Sequence, residues 1–249
     1  DCSSLEGKLI MKFTYILVGI EGGINLGLIC RLADNFNINE IRLVDPKLSD
    51  EDYDLAEIFA SNAAHRLKKL KIYDSVGDSV SDLDIVFGTS GIISYRYPWS
   101  QHITPEDMNR IISKFSIEKI GIMFGRESTG LTKEELSYAD FIVRIPTSKK
   151  YPSLNLSTAV AIISYHIYNL SRELKSMEVK RLGRVEDLKL IAEYVEKISY
   201  KLFKKELFSK SLRDIVKRSI ALSNLSGSDI KSLVALYRRI FSVLYGEPS

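Results

Sequence analysis

The sequence predicts an α/β domain with a mostly parallel sheet, followed by a small all-helical C-terminal part. Three observations carry this. Short apolar runs alternate with amphipathic stretches from Phe13 to about Tyr168. The runs are apolar on consecutive residues rather than on alternate ones, as strands buried on both faces require. After residue 171 the strand-like runs stop and only helical periodicity remains.

In order, Phe13–Ile20 (FTYILVGI) is a β-branched run ending beside glycines and reads as the first strand. Asn25–Phe36 places Leu28, Leu32 and Phe36 on one stripe and reads as a helix. Ile41–Val44 is the next strand, closed by Asp45-Pro46, and Asp52–Leu67 the next helix. Ile72–Val76 and Ile85–Phe87 are short strands, the second stopped by Gly88-Thr89-Ser90-Gly91. Thr104–Phe115 is helical, with Thr104 as cap, Pro105 in the first turn and Asp107 three residues on. Ile120–Phe124 is a strand broken by Gly125. Thr132 caps a short acidic helix, Phe141–Ile145 is the last strand, and a helix runs from Thr158 to about Tyr168. Helices follow at about Val185–Ser199, Leu212–Asn224 and Gly227–Tyr245, a set too small to be comfortable alone. The domain reading is a body at 11–171, a linker at 172–184 and a helical extension at 185–249. Residues 1–10 read as a loose arm or a cloning remnant.

Hydrophobic residues make up 45% of the 249 and charged residues 27%, as in ordinary soluble globular chains. No apolar run approaches a membrane span, and no secretory leader pattern is present. The expectation is a cytoplasmic protein without a membrane partner. Cys2, Cys30 and the histidines His65, His102 and His166 share no metal-ligand spacing, so no metal is expected. Cys30 reads as a buried filler. From Arg172 onward there are 17 Lys and Arg against 10 Asp and Glu, and before it 18 against 22. A basic tail on a slightly acidic body fits either a polyanion partner or a solvated helical face.

Four loops stand at element ends. Gly22-Gly23-Ile24-Asn25-Leu26-Gly27, with Arg31 one turn later, could bring backbone and guanidinium to a ligand. Equally, Arg31 could be a surface cation. The segment lacks both the phosphate-loop and the dinucleotide spacing. Gly88-Thr89-Ser90-Gly91 offers hydroxyls and N–H groups after a strand. Phe124-Gly125-Arg126-Glu127-Ser128-Thr129-Gly130-Leu131 is bracketed by glycines. The stretch from Ile145 to Ser157 (IPTSKKYPSLNLS) bends from strand to helix, with Ser153 or Asn155 as the cap. It is either a plain capped connection or a ligand cradle. Three loops that each follow a strand can converge on one sheet edge.

Asn25-x-Gly27-x-x-x-Arg31-x-Ala33, then Phe124-Gly125-x-Glu127-x-x-Gly130-Leu131, then Ile145-Pro146 with Ser153-Leu154-Asn155-Leu156-Ser157, resemble in order the three motifs of the SPOUT superfamily. The resemblance is to the RNA ribose 2′-O-methyltransferases of the TrmH-like branch. Gly88-Thr89-Ser90 with Arg96 and Pro98-Trp99, and Arg181-Leu182-Gly183-Arg184-Val185-Glu186-Asp187-Leu188, look like the TrmJ group. The resemblance spans about Phe13 to Tyr245. It implies a deep trefoil knot formed by Ile120–Tyr168 and a homodimer with the active site near the subunit interface. It also implies S-adenosyl-L-methionine as cofactor, held by Thr89, Ser90 and Gly91, by Gly125, and by Ile145, Pro152, Ser153 and Leu154. The implied substrate is tRNA, methylated on the first nucleotide of the anticodon loop, with cytidine favoured.

The implied catalytic set is Arg31, Asn155, Ser153 and Glu127. A guanidinium stays protonated, so Arg31 is better suited to orient the 2′-hydroxyl and stabilise the developing alkoxide than to take its proton. A phosphate oxygen or water would accept the proton. Asn155 and Ser153 would hold Arg31 or the ribose. Glu127 would anchor Arg31, shape its own loop, or pair with Arg126. Arg96, Lys149, Lys150, Arg181 and Arg184 are expected to meet RNA phosphates, and Tyr95 or Trp99 to stack on a base or pack internally. Competing readings are the same chemistry on ribosomal RNA, a non-catalytic RNA-binding protein of this fold, and a small-molecule enzyme using a nucleotide.

Overall fold

A computed structural model describes residues 11–91, 102–176 and 183–246. Its elements run β1 (Lys12–Val18), α1 (Gly23–Asn35), β2 (Glu40–Val44), α2 (Asp50–Ala60), a 3-10 segment (Ser61–Lys69), β3 (Lys71–Tyr73), α3 (Val76–Val80), β4 (Ile85–Thr89), α4 (Pro105–Lys114), β5 (Phe115–Ser116), β6 (Lys119–Phe124), α5 (Lys133–Leu136), β7 (Phe141–Val143), α6 (Leu156–Ser176), β8 (Gly183–Arg184), α7 (Val185–Phe203), α8 (Glu206–Leu222) and α9 (Gly227–Tyr245). The chain divides into two compact units. Among the described residues, one holds 11–91, 102–109 and 117–176, and the other holds 110–116 and 183–246.

The first unit holds a six-stranded sheet in the order β3-β2-β1-β6-β4-β7, and every neighbouring pair is parallel. The consecutive apolar residues expected of two-sided burial are found in β1, where Tyr15, Ile16 and Leu17 are fully buried, and in β6, where Ile120, Ile122 and Met123 are too. Order within the sheet places the ends of β6, β4 and β7 side by side. The loops after these three strands are the ones singled out in the sequence.

Several boundaries differ from expectation, each for a local reason. The helix expected over Asp52–Leu67 begins at Asp50, where Ser49 and Asp52 form a reciprocal capping box, and breaks at Ser61 (φ 53°) into the 3-10 segment. The strand expected over Ile72–Val76 stops at Tyr73, and Ser75 caps α3 instead. The last strand ends at Val143, leaving Ile145 in the loop. Of the two candidate caps for α6, Asn155 takes the role. Its Oδ1 accepts from the N–H groups of Ser157 (2.9 Å) and Thr158 (3.4 Å), so the helix starts at Leu156 rather than Thr158.

The larger difference concerns Gly23 and Gly27. α1 begins at Gly23, ahead of the expected Asn25, and both glycines face the backbone of α2 rather than a ligand. A Cβ on Gly27 would come within 2.5 Å of the Ala56 carbonyl oxygen, and one on Gly23 within 1.9 Å of that of Asp52. Their spacing of four residues is a helix-contact spacing. Cys30, on the same helix, is fully buried, and burial pushes its thiol pKa up to about 12.

In the second unit α7 packs against both α8 and α9, and β5 pairs with β8 in parallel. The Lys114 ammonium caps the end of α8, donating to the carbonyls of Ile220 (2.8 Å) and Ser223 (2.6 Å). Ser226 and Asp229 form the capping box of α9. Among the described residues no helix is long and apolar enough to cross a membrane, and no cluster of three His, Cys, Asp or Glu could hold a metal ion.

Candidate active site

The ends of β4, β6 and β7 are tied to one another before any ligand is considered. The Thr89 hydroxyl donates to the Met123 carbonyl (2.9 Å), and the Ser90 N–H donates to the Val143 carbonyl (3.0 Å). The loops they launch enclose a cleft of about 250 Å³. Thr89, Ser90, Gly91, Gly125, Ile145, Pro152, Ser153 and Leu154, all eight residues expected around a cofactor, line it, as does Glu127. Its walls are mixed. Phe124, Val143, Leu156 and Ala159 supply apolar surface, while Ser128 and Thr129 add hydroxyls. A flat aromatic base with a ribose attached suits such a lining.

The loop after β6 is shaped by close backbone approach. A Cβ on Gly125 would meet the Gly130 carbonyl carbon at 2.1 Å, so the loop folds back on itself only because that atom is absent. The Gly130 N–H donates to the Arg126 carbonyl (2.9 Å) and closes it. Arg126 turns away to a two-pronged pair with Glu135 (2.9 and 3.1 Å). Burial raises the Glu135 pKa, but the Arg126 guanidinium and the Thr132 N–H and hydroxyl together outweigh it and hold the carboxyl below its ordinary value. The loop from Thr147 to Pro152 is closed by the Thr147 hydroxyl donating to the Pro152 carbonyl (2.9 Å).

Asn25 joins the segments. Its amide N–H donates to Glu127 Oε1 (2.9 Å), and its Oδ1 accepts from the Asn155 amide (3.3 Å). The other Glu127 oxygen accepts from the Glu21 N–H (2.9 Å). One continuous chain of hydrogen bonds therefore links the first helix, the loop after β6 and the start of α6. Both amides have a definite orientation, since each uses its oxygen and its nitrogen.

Two expectations for Glu127 need correction. Its oxygens are engaged by Asn25 and Glu21, so it does not anchor Arg31, and Arg126 pairs with Glu135 instead. Asn155 holds Asn25 rather than Arg31. Arg31 itself is exposed, lies outside the cleft lining, and has no ion-pair partner among the described residues. Lys149 and Lys150 are exposed on the loop leading to Pro152. Arg184, in the other unit, is exposed and 3.5 Å from Glu186. Tyr95, Arg96, Pro98, Trp99, Arg181 and Leu182 lie outside the described residues. The motifs name Ser128 and Thr129 only as part of the glycine-bracketed loop and give no site role to Glu21 or to Asn25 as a joint. The signal for the hydroxyls was their place inside the loop bracketed by Gly125 and Gly130. Nothing local marked Glu21.

Residues 12–165 match the model of the SpoU rRNA Methylase family, well over half the chain. The chain belongs to this family. Among SpoU relatives, a tRNA (cytidine-2′-O-)-methyltransferase TrmJ of Sulfolobus acidocaldarius is 34% identical over 93% of this chain and 94% of its own length. A protein of the same name from Methanocaldococcus jannaschii is 33% identical over 92% of this chain and its entire length. A solved structure, a probable methylase family protein from Haemophilus influenzae, has a similar fold, with a TM-score of 0.68. It is 23% identical and covers 96% of this chain and 99% of its own.

Proposed function

We propose that the protein is an S-adenosyl-L-methionine-dependent tRNA ribose 2′-O-methyltransferase acting on the first nucleotide of the anticodon loop, with cytidine favoured. The observation that carries this is the convergence of the loops after β4, β6 and β7 on one cleft, joined to α1 through Asn25. Relatives of nearly equal length carry names for 2′-O-methylation of cytidine in tRNA.

The cofactor, when bound, supplies an electrophilic methyl group with a neutral leaving group. The chain's own task is then positioning. Thr89, Ser90 and Gly91, with Gly125 and with Ile145, Pro152, Ser153 and Leu154, form the holding surface. Arg31 orients the 2′-hydroxyl and stabilises negative charge on its oxygen as the proton leaves to water or phosphate. Its exposure suits a group that meets RNA, or a second copy of the chain, rather than one locked inside the protein. Asn155, Ser153 and Glu127 fix the cleft edge. Lys149, Lys150 and Arg184, with Arg96 and Arg181, contact phosphates. The reading includes a homodimer, a trefoil knot over Ile120–Tyr168, a cytoplasmic location, and a division of the chain at 171 and 185.

The test is to incubate the protein with tRNA, separately with ribosomal RNA, and with the cofactor, then map 2′-O-methyl groups. Methylation at the first anticodon-loop nucleotide is expected. Methylation of ribosomal RNA alone would replace the tRNA assignment. No cofactor binding by calorimetry would leave an RNA-binding protein of this fold.

A further inference from the structure

Glu21 and the Ser128 segment exchange hydrogen bonds in both directions. The Glu21 N–H donates to Glu127 Oε2 (2.9 Å). In return, the Glu21 carboxylate accepts from the Ser128 N–H (3.1 Å) and from the Ser128 hydroxyl (2.8 Å). Ser128 and Thr129 line the cleft, whereas Glu21 does not. Glu21 thus lies behind a cleft wall and fixes it from outside.

Glu127 accepts from the Glu21 N–H and the Asn25 amide, while the Arg126 guanidinium attracts the Glu21 carboxylate without a hydrogen bond to it. The arrangement holds because each carboxylate is met by N–H or O–H donors from the opposite segment. The far shoulder of the same loop is fixed by the two-pronged pair of Arg126 with Glu135 and by the Gly130 to Arg126 backbone bond. Releasing Glu21 would therefore free the Ser128–Thr129 wall while the Arg126 shoulder stays in place.

We propose that Glu21 is a positioning residue for donor binding, acting through Ser128 and touching neither cofactor nor RNA. This rests on the reading that the cleft takes S-adenosylmethionine. The carboxylate acts as a double acceptor for one peptide N–H and one hydroxyl.

The test combines amide hydrogen exchange in the donor-free protein with calorimetry and steady-state kinetics. Glu21→Ala should speed exchange at the Ser128 amide about tenfold and weaken S-adenosylmethionine binding about five- to tenfold, with the loss in KM for the donor rather than in kcat. Glu21→Gln can still accept from the Ser128 N–H and exchange a hydrogen bond with its hydroxyl, so it should restore affinity to within about twofold. Unchanged exchange in Glu21→Ala would overturn the clamp. So would a fall in kcat with donor affinity intact, or failure of Glu21→Gln to recover. If the wild-type protein binds no S-adenosylmethionine, the cleft assignment fails instead, and the exchange comparison still decides the clamp.

Discussion

Asn155 and Asn25, 130 residues apart in the sequence, share a side-chain hydrogen bond of 3.3 Å. Asn155 also caps α6 and Asn25 also holds Glu127, so this bond sets the start of one helix against the start of another. Asn25→Ala should lower kcat/KM for methyl transfer at least tenfold, because small displacements of a reacting geometry are costly. The measurement is methyl incorporation into tRNA under subsaturating substrate. A change below twofold would leave Asn25 with a packing role only.

Arg31 is the exposed cation of α1. Arg31→Ala should retain calorimetric affinity for S-adenosylmethionine and lose about a hundredfold or more in kcat, the scale seen when one transition-state donor is removed. Undiminished turnover would take Arg31 out of the reaction.

Gly27 is a stability position. Its added Cβ would meet the Ala56 carbonyl at 2.5 Å, the Phe59 Cβ at 2.8 Å and the Ala60 nitrogen at 2.9 Å. Two of the three are backbone atoms that no rotamer change can move. Gly27→Ala should cost about 2–3 kcal/mol by urea unfolding despite alanine's better helix propensity. An unchanged midpoint would mean that α2 can shift away freely.

Acid sensitivity should be visible at Asp52. Its carboxylate accepts from the Ser49 N–H and hydroxyl and from the Gly23 N–H, and these bonds hold its pKa below the ordinary value. The unfolded chain therefore takes up the proton first. The stabilisation is complete above the ordinary carboxylate pKa and is lost as pH falls through the lower folded value. Asp52→Ala should lower Tm at pH 7, and the gap to wild type should narrow as pH falls below the ordinary carboxylate pKa and through the lower folded one. A gap independent of pH would argue against this origin.

Lys149 and Lys150 are tested by salt. If each meets a phosphate, each alanine variant should weaken tRNA binding uniformly across sequences and reduce the slope of log affinity against log salt by about 1. An unchanged slope would place them in solvent.

The strands were legible because full burial writes itself as consecutive apolar residues, as in Tyr15-Ile16-Leu17. The cleft residues were legible because loops that must bend sharply after a strand need glycine, proline and hydroxyls. What stayed hidden was which partner each side chain takes. Glu127 has Arg126 as its sequence neighbour, yet reaches Asn25, whereas Arg126 reaches Glu135. Gly23 and Gly27 resembled a ligand loop because close approach to α2 and close approach to a cofactor call for the same missing side chain. Pairings across a hundred residues leave no periodic trace.

The pairing of Lys12 with Lys119 at the head of β1 and β6 has a bearing on synthesis. β1 waits for a neighbour that emerges only after most of the α/β unit has been translated. Until then the N–H and C=O groups along one edge of β1 are unpaired, the kind of edge that recruits stray strands. A chain halted before Lys119 would leave that edge of β1 open as a template for pairing with another strand.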